Sequence, residues 1–502
     1  MASEAYHAIV YNQHCEAKTE SRQSLQGICM TSQPNRRHFL TTSASAVATY
    51  STAQAQGHTQ THTHEDDKSS GPSNLRVARF RFDITPPQGH SLCGGWIKPV
   101  TGIDDALEAI GYVLLGVGKP IVICVLDWTG LLNRAHLHWR QRLAEAAGTT
   151  PDRVAVQCVH QHNAPFACLD AQAIVGAQGD LPDIIDPDFF HRCLTTGYES
   201  VKESIKHSAP VTHIAHGEAP VNRIAGNRRI IGLDGKVLSQ RGSSSTKPAH
   251  HKYPEGLIDP MLKTVTFYHG ERALVASHYY ACHPMSYYGD GRVSADFCGI
   301  ARRQRQTHNP DCTHLYFNGC GGNIGAGKYN NGSKQARKTL TNRLLEGILA
   351  SEASMTRQPI KSISWNTQNI LPPLNPAFSE SALMKEITNN ANRPVARNRP
   401  AYAVAFIRRV QQKIPLTLSA LHINDVSFLH LPAECFVEYQ LRAQANATNR
   451  FVACAAYGDG GPWYIPTRNA YPQGGYAVSV AWCAPEMDTM LSGGIASLLS
   501  RA

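Results

Sequence analysis

The sequence predicts an α/β fold: mixed β-sheets flanked by helices, with a metal site at the carboxyl ends of strands. Three observations carry that expectation. Short apolar runs rich in Val, Ile, Phe and Tyr alternate with longer segments whose apolar residues recur at helical spacing. Some strand-like runs follow one another too closely for helical crossovers, so the sheet is mixed or divided in two. His160, His283, Glu434 and Tyr464 each stand at or just past the end of an apolar run. Open α/β sheets gather their ligands at the carboxyl ends of strands. Two imidazoles, a carboxylate and a phenol suit zinc best.

The first element in chain order is a leader. Arg36 and Arg37 precede His38, Phe39 and Leu40; a weakly apolar stretch rich in Ala, Ser and Thr follows, then Ala53-Gln54-Ala55. Residues 30–55 therefore read as a twin-arginine signal peptide, and the protein is expected in the periplasm or secreted. Residues 1–29 read as neither signal nor domain, which points to Met30 as the start. Residues 56–74 are polar, without apolar periodicity, and read as a flexible linker. Its His58, His62 and His64 read as solvated.

Residues 75–502 form one compositionally uniform unit without an evident internal repeat. Strand-like runs occupy 77–85, 119–127, 153–159, 273–282, 313–318, 426–431 and 451–457, each enriched in β-branched or aromatic residues. Helix-like segments occupy 134–147, 188–206, 334–354, 434–446 and 485–501, where apolar residues recur at helical spacing. Residues 241–256 read as a long loop. Residues 371–400, rich in Pro and Asn, read as an excursion with one short helix. Long loops in compact domains often border sites.

Bulk properties narrow the function classes. With 502 residues, 42% hydrophobic and 17% charged, the chain has ordinary globular composition and ample length for a large core. The net charge of +10 comes from 48 basic and 38 acidic residues that are dispersed, with no aromatic–basic stripe, so no nucleic-acid partner is expected. Peripheral contact with a membrane surface is compatible with that charge. The 14 cysteines form no CxxC spacing. Cys124, Cys158, Cys282 and Cys454 lie inside apolar runs, as buried small hydrophobes do.

Four segments carry chemistry. In RVAVQCVHQHNAP (153–165) a strand ends in His160-Gln161-His162, and imidazoles at i and i+2 of an extended chain share one side. One of them can bind metal while the other meets substrate; a plain pair of packed histidines has the same spacing. His283 precedes Pro284, which favours extended or turn backbone there; His278, in the same run, is a rival ligand. Glu434 opens a helix-like segment after Leu-Pro-Ala, where the helix dipole alone would favour a carboxylate. Last, AAYGDGGPWYIPTRNAYPQGGYA (455–477) runs from a strand into a Gly/Pro loop that displays Tyr464, Tyr471 and Tyr476.

Together these segments resemble the N-terminal catalytic domain of the neutral ceramidases, zinc-dependent amidases that cleave the N-acyl bond of ceramide. HQHNAP (160–165) resembles that family's HTHSGP element, and HYYACHPMS (278–286) its NWFAVHGTSM element. Pro432-Ala433-Glu434 resembles PGE, and Trp463 to Thr467 with Tyr476 resembles the GYVTT segment and its later tyrosine. Asn222-Arg223 resembles an Asn-Arg pair between the first two elements. Order and approximate spacing agree across residues 75–480. The resemblance implies that His160, His283, Glu434 and Tyr464 hold zinc. It makes His162, Arg223 and Tyr476 the substrate-facing groups, so that hydroxide on the metal attacks the acyl carbon of a linear amide and these groups hold charge or pass a proton.

Two departures qualify the implied substrate. The family's GDVSPN-like loop, with its serine, is here Gly319-Cys320-Gly321-Gly322-Asn323-Ile324-Gly325, so Gly325 stands for the serine and Asn323 for the aspartate. The chain also stops near the end of the implied catalytic domain. The expected function is thus an exported zinc-dependent hydrolase acting on a small-molecule or lipid amide. A non-catalytic metal- and ligand-binding protein of the same fold is the alternative. A hydrolase of the amidohydrolase-barrel type would want its HxH on the first strand, and here about 75 residues of the body precede it.

Overall fold

A computed structural model describes residues 74–501, all within one compact unit spanning Asp66–Ala502. The leader and all but the last residue of the linker fall outside the described residues. In chain order the main elements are β1 (Arg76–Asp83), β2 (Glu108–Leu115), β3 (Ile121–Leu126), α1 (Arg134–Ala147), β4 (Val154–Cys158), α2 (Leu169–Gly176), α3 (Pro187–Lys206), β5 (Ala209–Pro210) and β6 (His213–Pro220). They continue with β7 (Met261–His269), β8 (Arg272–Tyr280), α4 (Asp296–His308), β9 (Thr313–Asn318), α5 (Lys334–Ala353), β10 (Thr356–Pro359) and β11 (Ile363–Ile370). The last are α6 (Glu380–Thr388), α7 (Pro394–Gln411), β12 (Leu416–Ile423), β13 (Val426–His430), α8 (Val437–Asn446), β14 (Phe451–Ala455) and α9 (Met487–Ser500).

Helices flank three mixed sheets, ordered β4-β3-β2-β1-β5, β9-β8-β7-β6-β10 and β11-β12-β13-β14. Each sheet is mostly antiparallel and holds one parallel pair: β3 with β4, β8 with β9, and β13 with β14. Parallel neighbours need a crossover, and α1, α4 and α8 supply one each. The chain therefore contains three βαβ units in three different sheets. His160 follows β4, His283 follows β8, and Glu434 follows β13.

Two apolar cores fix the layers. Along β3, Val122, Cys124 and Leu126 face one core while Ile121, Ile123 and Val125 face the other, so all six residues are buried. Continuous apolar runs of this kind mark strands covered on both faces. Burying each such Val or Ile side chain contributes about 1.5–3 kcal/mol. Twelve cysteines among the described residues are free and buried, consistent with their apolar surroundings.

The excursion expected over 371–400 is a helical hairpin instead. α6 is followed by α7, which runs eighteen residues to Gln411 through Pro400. The helix survives because Ala401 to Ile407 are all buried, so packing outweighs the intrinsic cost of an interior proline. The helix expected from 434 begins at Val437: Glu434–Cys435 is a short strand paired with Tyr464–Ile465. The loop at 241–256 includes one short helix, Pro248–Lys252.

Candidate metal centre

Buried amides stitch the three strand ends together. The Gln157 amide nitrogen on β4 faces the carbonyls of Leu431, Ala455 and Ala456 at 3.0, 3.0 and 2.9 Å. Asn318 at the end of β9 donates to Val159 O at 3.2 Å and accepts from Cys282 N at 3.2 Å. The segments carrying His160, His283 and Glu434 are thereby brought to one point in the interior.

Each ring is oriented by backbone carbonyls of another segment. His160 Nδ1 lies 2.7 Å from Thr129 O, and His283 Nδ1 lies 2.7 Å from Gly321 O and 3.1 Å from Ile324 O. A carbonyl only accepts, so both rings carry their proton on Nδ1 and turn a bare Nε2 inward. What the two nitrogens face is Glu434 Oε2, 3.0 Å from His283 Nε2 and 3.4 Å from His160 Nε2. Glu434 itself is held by pairing with Tyr464, its N–H donating to Trp463 O at 2.9 Å. The Tyr464 hydroxyl completes the group, 3.4 Å from His283 Nε2.

The third imidazole, His162, is nearer this group than expected for a group that only meets substrate. One ligand nitrogen from each of His160, His162 and His283 lies within 4.8 Å of the others. His162 Nδ1 lies 3.4 Å from Cys93 Sγ, while His160 Nε2, His162 Nε2 and Glu434 Oε2 are buried without a hydrogen-bond partner. Buried polar atoms ordinarily find partners. Three orphaned lone-pair atoms converging are a donor set for a cation. Bonds of about 2.0–2.1 Å to a tetrahedral ion place neighbouring ligand atoms about 3.3 Å apart, close to the separations around Glu434 Oε2 and the Tyr464 hydroxyl. These residues fit zinc.

Electrostatics agree with that fit. Burial lowers His283 to about 4 despite Glu434. Burial, reinforced by His160 and His283, keeps His162 well below its ordinary value. Neutral His283 and His162 imidazoles are in the protonation state a metal requires. The backbone is strained at the same place: His160, Ala433, Tyr457 and Trp463 adopt φ of 78°, 53°, 61° and 66°. Such left-handed non-glycine residues concentrate at functional sites.

The substrate-facing candidates lie at different distances from this group. Arg223 is exposed, with its guanidinium 5.9 Å from the Tyr329 ring centroid. Arg228, five residues on, donates to the Tyr464 hydroxyl at 3.1 Å and stands 3.4 Å from His283 Nε2. A second Asn-Arg pair, Asn227-Arg228, thus reaches the centre because Gly226–Asn227 pairs with Ile324–Gly325. The ring of Tyr476 lies 5.8 Å from that of Tyr464. Tyr471 instead donates to Cys483 O at 2.7 Å. Sequence reasoning also missed Tyr457, whose ring stacks 4.3 Å from His160. A built Cβ on Gly325 would meet Arg228 and Ser243 atoms at 3.4 Å, so the glycine is not imposed by crowding.

The rival ligand His278 belongs to a different cluster with His314 and Glu352. The Ser351 hydroxyl donates to Ile348 O at 2.9 Å, so it accepts from Thr264. Thr264 then accepts from His278 Nδ1 at 2.9 Å, which leaves His278 Nε2 to accept from His314 Nδ1 at 2.9 Å. The two rings are within 8° of parallel with centroids 5.2 Å apart, as expected for rings lying in line along one N–H···N bond. Two ligands on one ion would stand at an angle. This cluster is a hydrogen-bond chain inside the second sheet's packing.

No protein-family model matches the chain, and no curated protein matches it by sequence. Solved structures do match by shape. Neutral ceramidase from Pseudomonas aeruginosa superposes with a TM-score of 0.62 at 16% identity, covering 86% of this chain and 75% of its own. A ceramidase complexed with C2 superposes with a TM-score of 0.61 at 14% identity, covering 86% and 76%. The chain has the neutral ceramidase fold.

Proposed function

We propose that this protein is a zinc-dependent hydrolase of N-acyl amides, with lipid amides its substrate class and export through a twin-arginine signal its route. The observation that carries the reading is the convergence of His160 Nε2, His283 Nε2 and Glu434 Oε2, all buried, beside the Tyr464 hydroxyl. The likeness to ceramidase structures supports the amide class.

Zinc held there supplies Lewis acidity and brings the pKa of a water toward neutrality. The chain's own groups do the rest. Arg228 stays charged because Tyr464, Glu434 and Tyr476 outweigh its burial, and it faces the centre through Nη1. With the Tyr476 hydroxyl it stabilises the negative charge that grows on the acyl oxygen. His162, neutral at rest, takes the proton released by the attacking water and passes it to the departing nitrogen. Burial pushes the Cys320 thiol well above its ordinary value, so it is a poor nucleophile.

The test is turnover of a panel of N-acyl amides by the full chain, with and without chelation. Metal-dependent release of amine without an initial burst is expected, and C320A should retain it. An acyl group trapped on Cys320, or undiminished activity of metal-free protein, would overturn the reading.

A further inference from the structure

Beyond Arg228 the chain forms a two-stranded hairpin. Arg229–Ile231 pairs antiparallel with Val237–Gln240, and Gly232 N donates to Lys236 O at 2.8 Å to close the end. Gly235 takes φ 74°, the left-handed conformation that glycine adopts without strain. Turn residues are ordinarily polar or glycine. This turn carries Leu233 with its side chain fully exposed (112%), flanked by Ile231 at 43% and Leu238 at 63%. These are three of the eight large apolar side chains exposed among the described residues, so they are not scattered. Leu257 is a fourth, its carbonyl accepting from Asn227 Nδ2 at 3.0 Å at the hairpin's base. Clustered exposed apolar side chains mark an interaction surface, where single ones do not.

Both strands are tied to the candidate centre. The first begins immediately after Arg228. The Arg229 guanidinium donates to Gly474 O at 2.7 Å and Ala470 O at 3.2 Å, and Val237 N donates to Gln473 O at 2.9 Å. Those carbonyls belong to the segment that leads into Tyr476.

We propose that hairpin 229–240 is a wedge that lowers Leu233, Ile231 and Leu238 into the apolar margin of a lipid bilayer. It thereby seats the metal centre against the surface that holds its substrate. This rests on reading the centre as a lipid-amide hydrolase. Two features make lipid the occupant. A projecting apex with one aliphatic side chain suits a deformable apolar medium. The turn pairs Asp234 with Lys236 and so carries no net charge, while exposed Lys247 and Lys252 in the following loop supply cations, as anionic headgroups favour. That loop is joined to the hairpin by Ser239 Oγ and His250 Nε2 at 3.0 Å. No described helix is long and apolar enough to cross a membrane.

The experiment is co-sedimentation of the full chain with phosphatidylcholine vesicles, with and without phosphatidylglycerol, comparing wild type, L233D and I231S/L238S. L233D should lower vesicle partition roughly tenfold. Its thermal melting, and its hydrolysis of a short, water-soluble N-acyl amide, should match wild type. Equal vesicle binding by wild type and L233D overturns the proposal. So does a wild-type dimer in lipid-free buffer that L233D converts to monomer, because the occupant is then a second copy. Leu233-dependent binding without turnover of any N-acyl amide upholds the wedge and rejects the substrate class. Turnover with Leu233-independent binding rejects the wedge alone.

Discussion

Oε2 of Glu434 lies 3.0 Å from Nε2 of His283, and that nitrogen carries no proton to join them. The proton on the His283 ring is committed to Gly321 O on the far side. Two lone-pair atoms this close in a buried site are stabilised by a cation between their donor set, which is the basis of each functional expectation below.

Arg228 rather than Arg223 should matter to turnover. R228M is expected to lower kcat on an N-acyl amide by about 10²–10³ fold, the usual effect of losing one charge-stabilising donor. R223M should stay within about twofold of wild type, because its guanidinium is exposed and turned toward Tyr329. Steady-state kinetics of the two variants decide the matter, and the reverse ranking would reject the assignment.

The loop bearing Trp463 and Tyr464 should depend on a buried ion pair. Asp459 accepts from Asn133 N at 3.0 Å and from Gly461 N at 3.1 Å, and it pairs with Arg409 on α7. Both side chains are only 5% exposed. R409M leaves Asp459 charged and unpaired in the interior, which typically costs about 3–5 kcal/mol. Denaturant titration should show that loss, and a change under about 1 kcal/mol would mean the pair is not structural.

Acid should destabilise the fold before it protonates carboxylates. Burial lowers His136 to about 4 against the opposing pull of Asp459, lowers His422 to about 4, and lowers His430 and His314 to about 3. These groups sit below their ordinary 6.5 when folded, so the unfolded chain binds more protons in that window. Their stabilising contribution is complete above about pH 6.5 and is lost as pH falls toward 4. Unfolding free energies at pH 7.5, 6 and 5 should decline in that order; a flat profile would contradict the burial argument.

Much of this arrangement was legible in the residues. β3, β9 and α1 announce themselves through unbroken apolar runs or clean helical spacing; His160, His283, Glu434 and Tyr464 could be named because strand ends are where α/β sheets place their sites, and Tyr476 only through the family resemblance. The mixed sheets flanked by helices are as expected, although three sheets divide what had read as one or two. What stayed hidden depends on contacts distant in sequence. Two Asn-Arg pairs five residues apart look alike until Gly226–Asn227 pairs with Ile324–Gly325. α7 hides behind Pro400 and an apolar segment buried on all sides, which has no helical period to read. Cys93 reaches His162 from a separate turn, and nothing in its local sequence signals that contact.

The most direct measurement is the zinc content of the purified full chain, by elemental analysis, for wild type and for the H160A/H283A double variant. The account predicts about one zinc per wild-type chain and almost none in the double variant, with both proteins folded by circular dichroism. Full zinc occupancy in the folded double variant would contradict it.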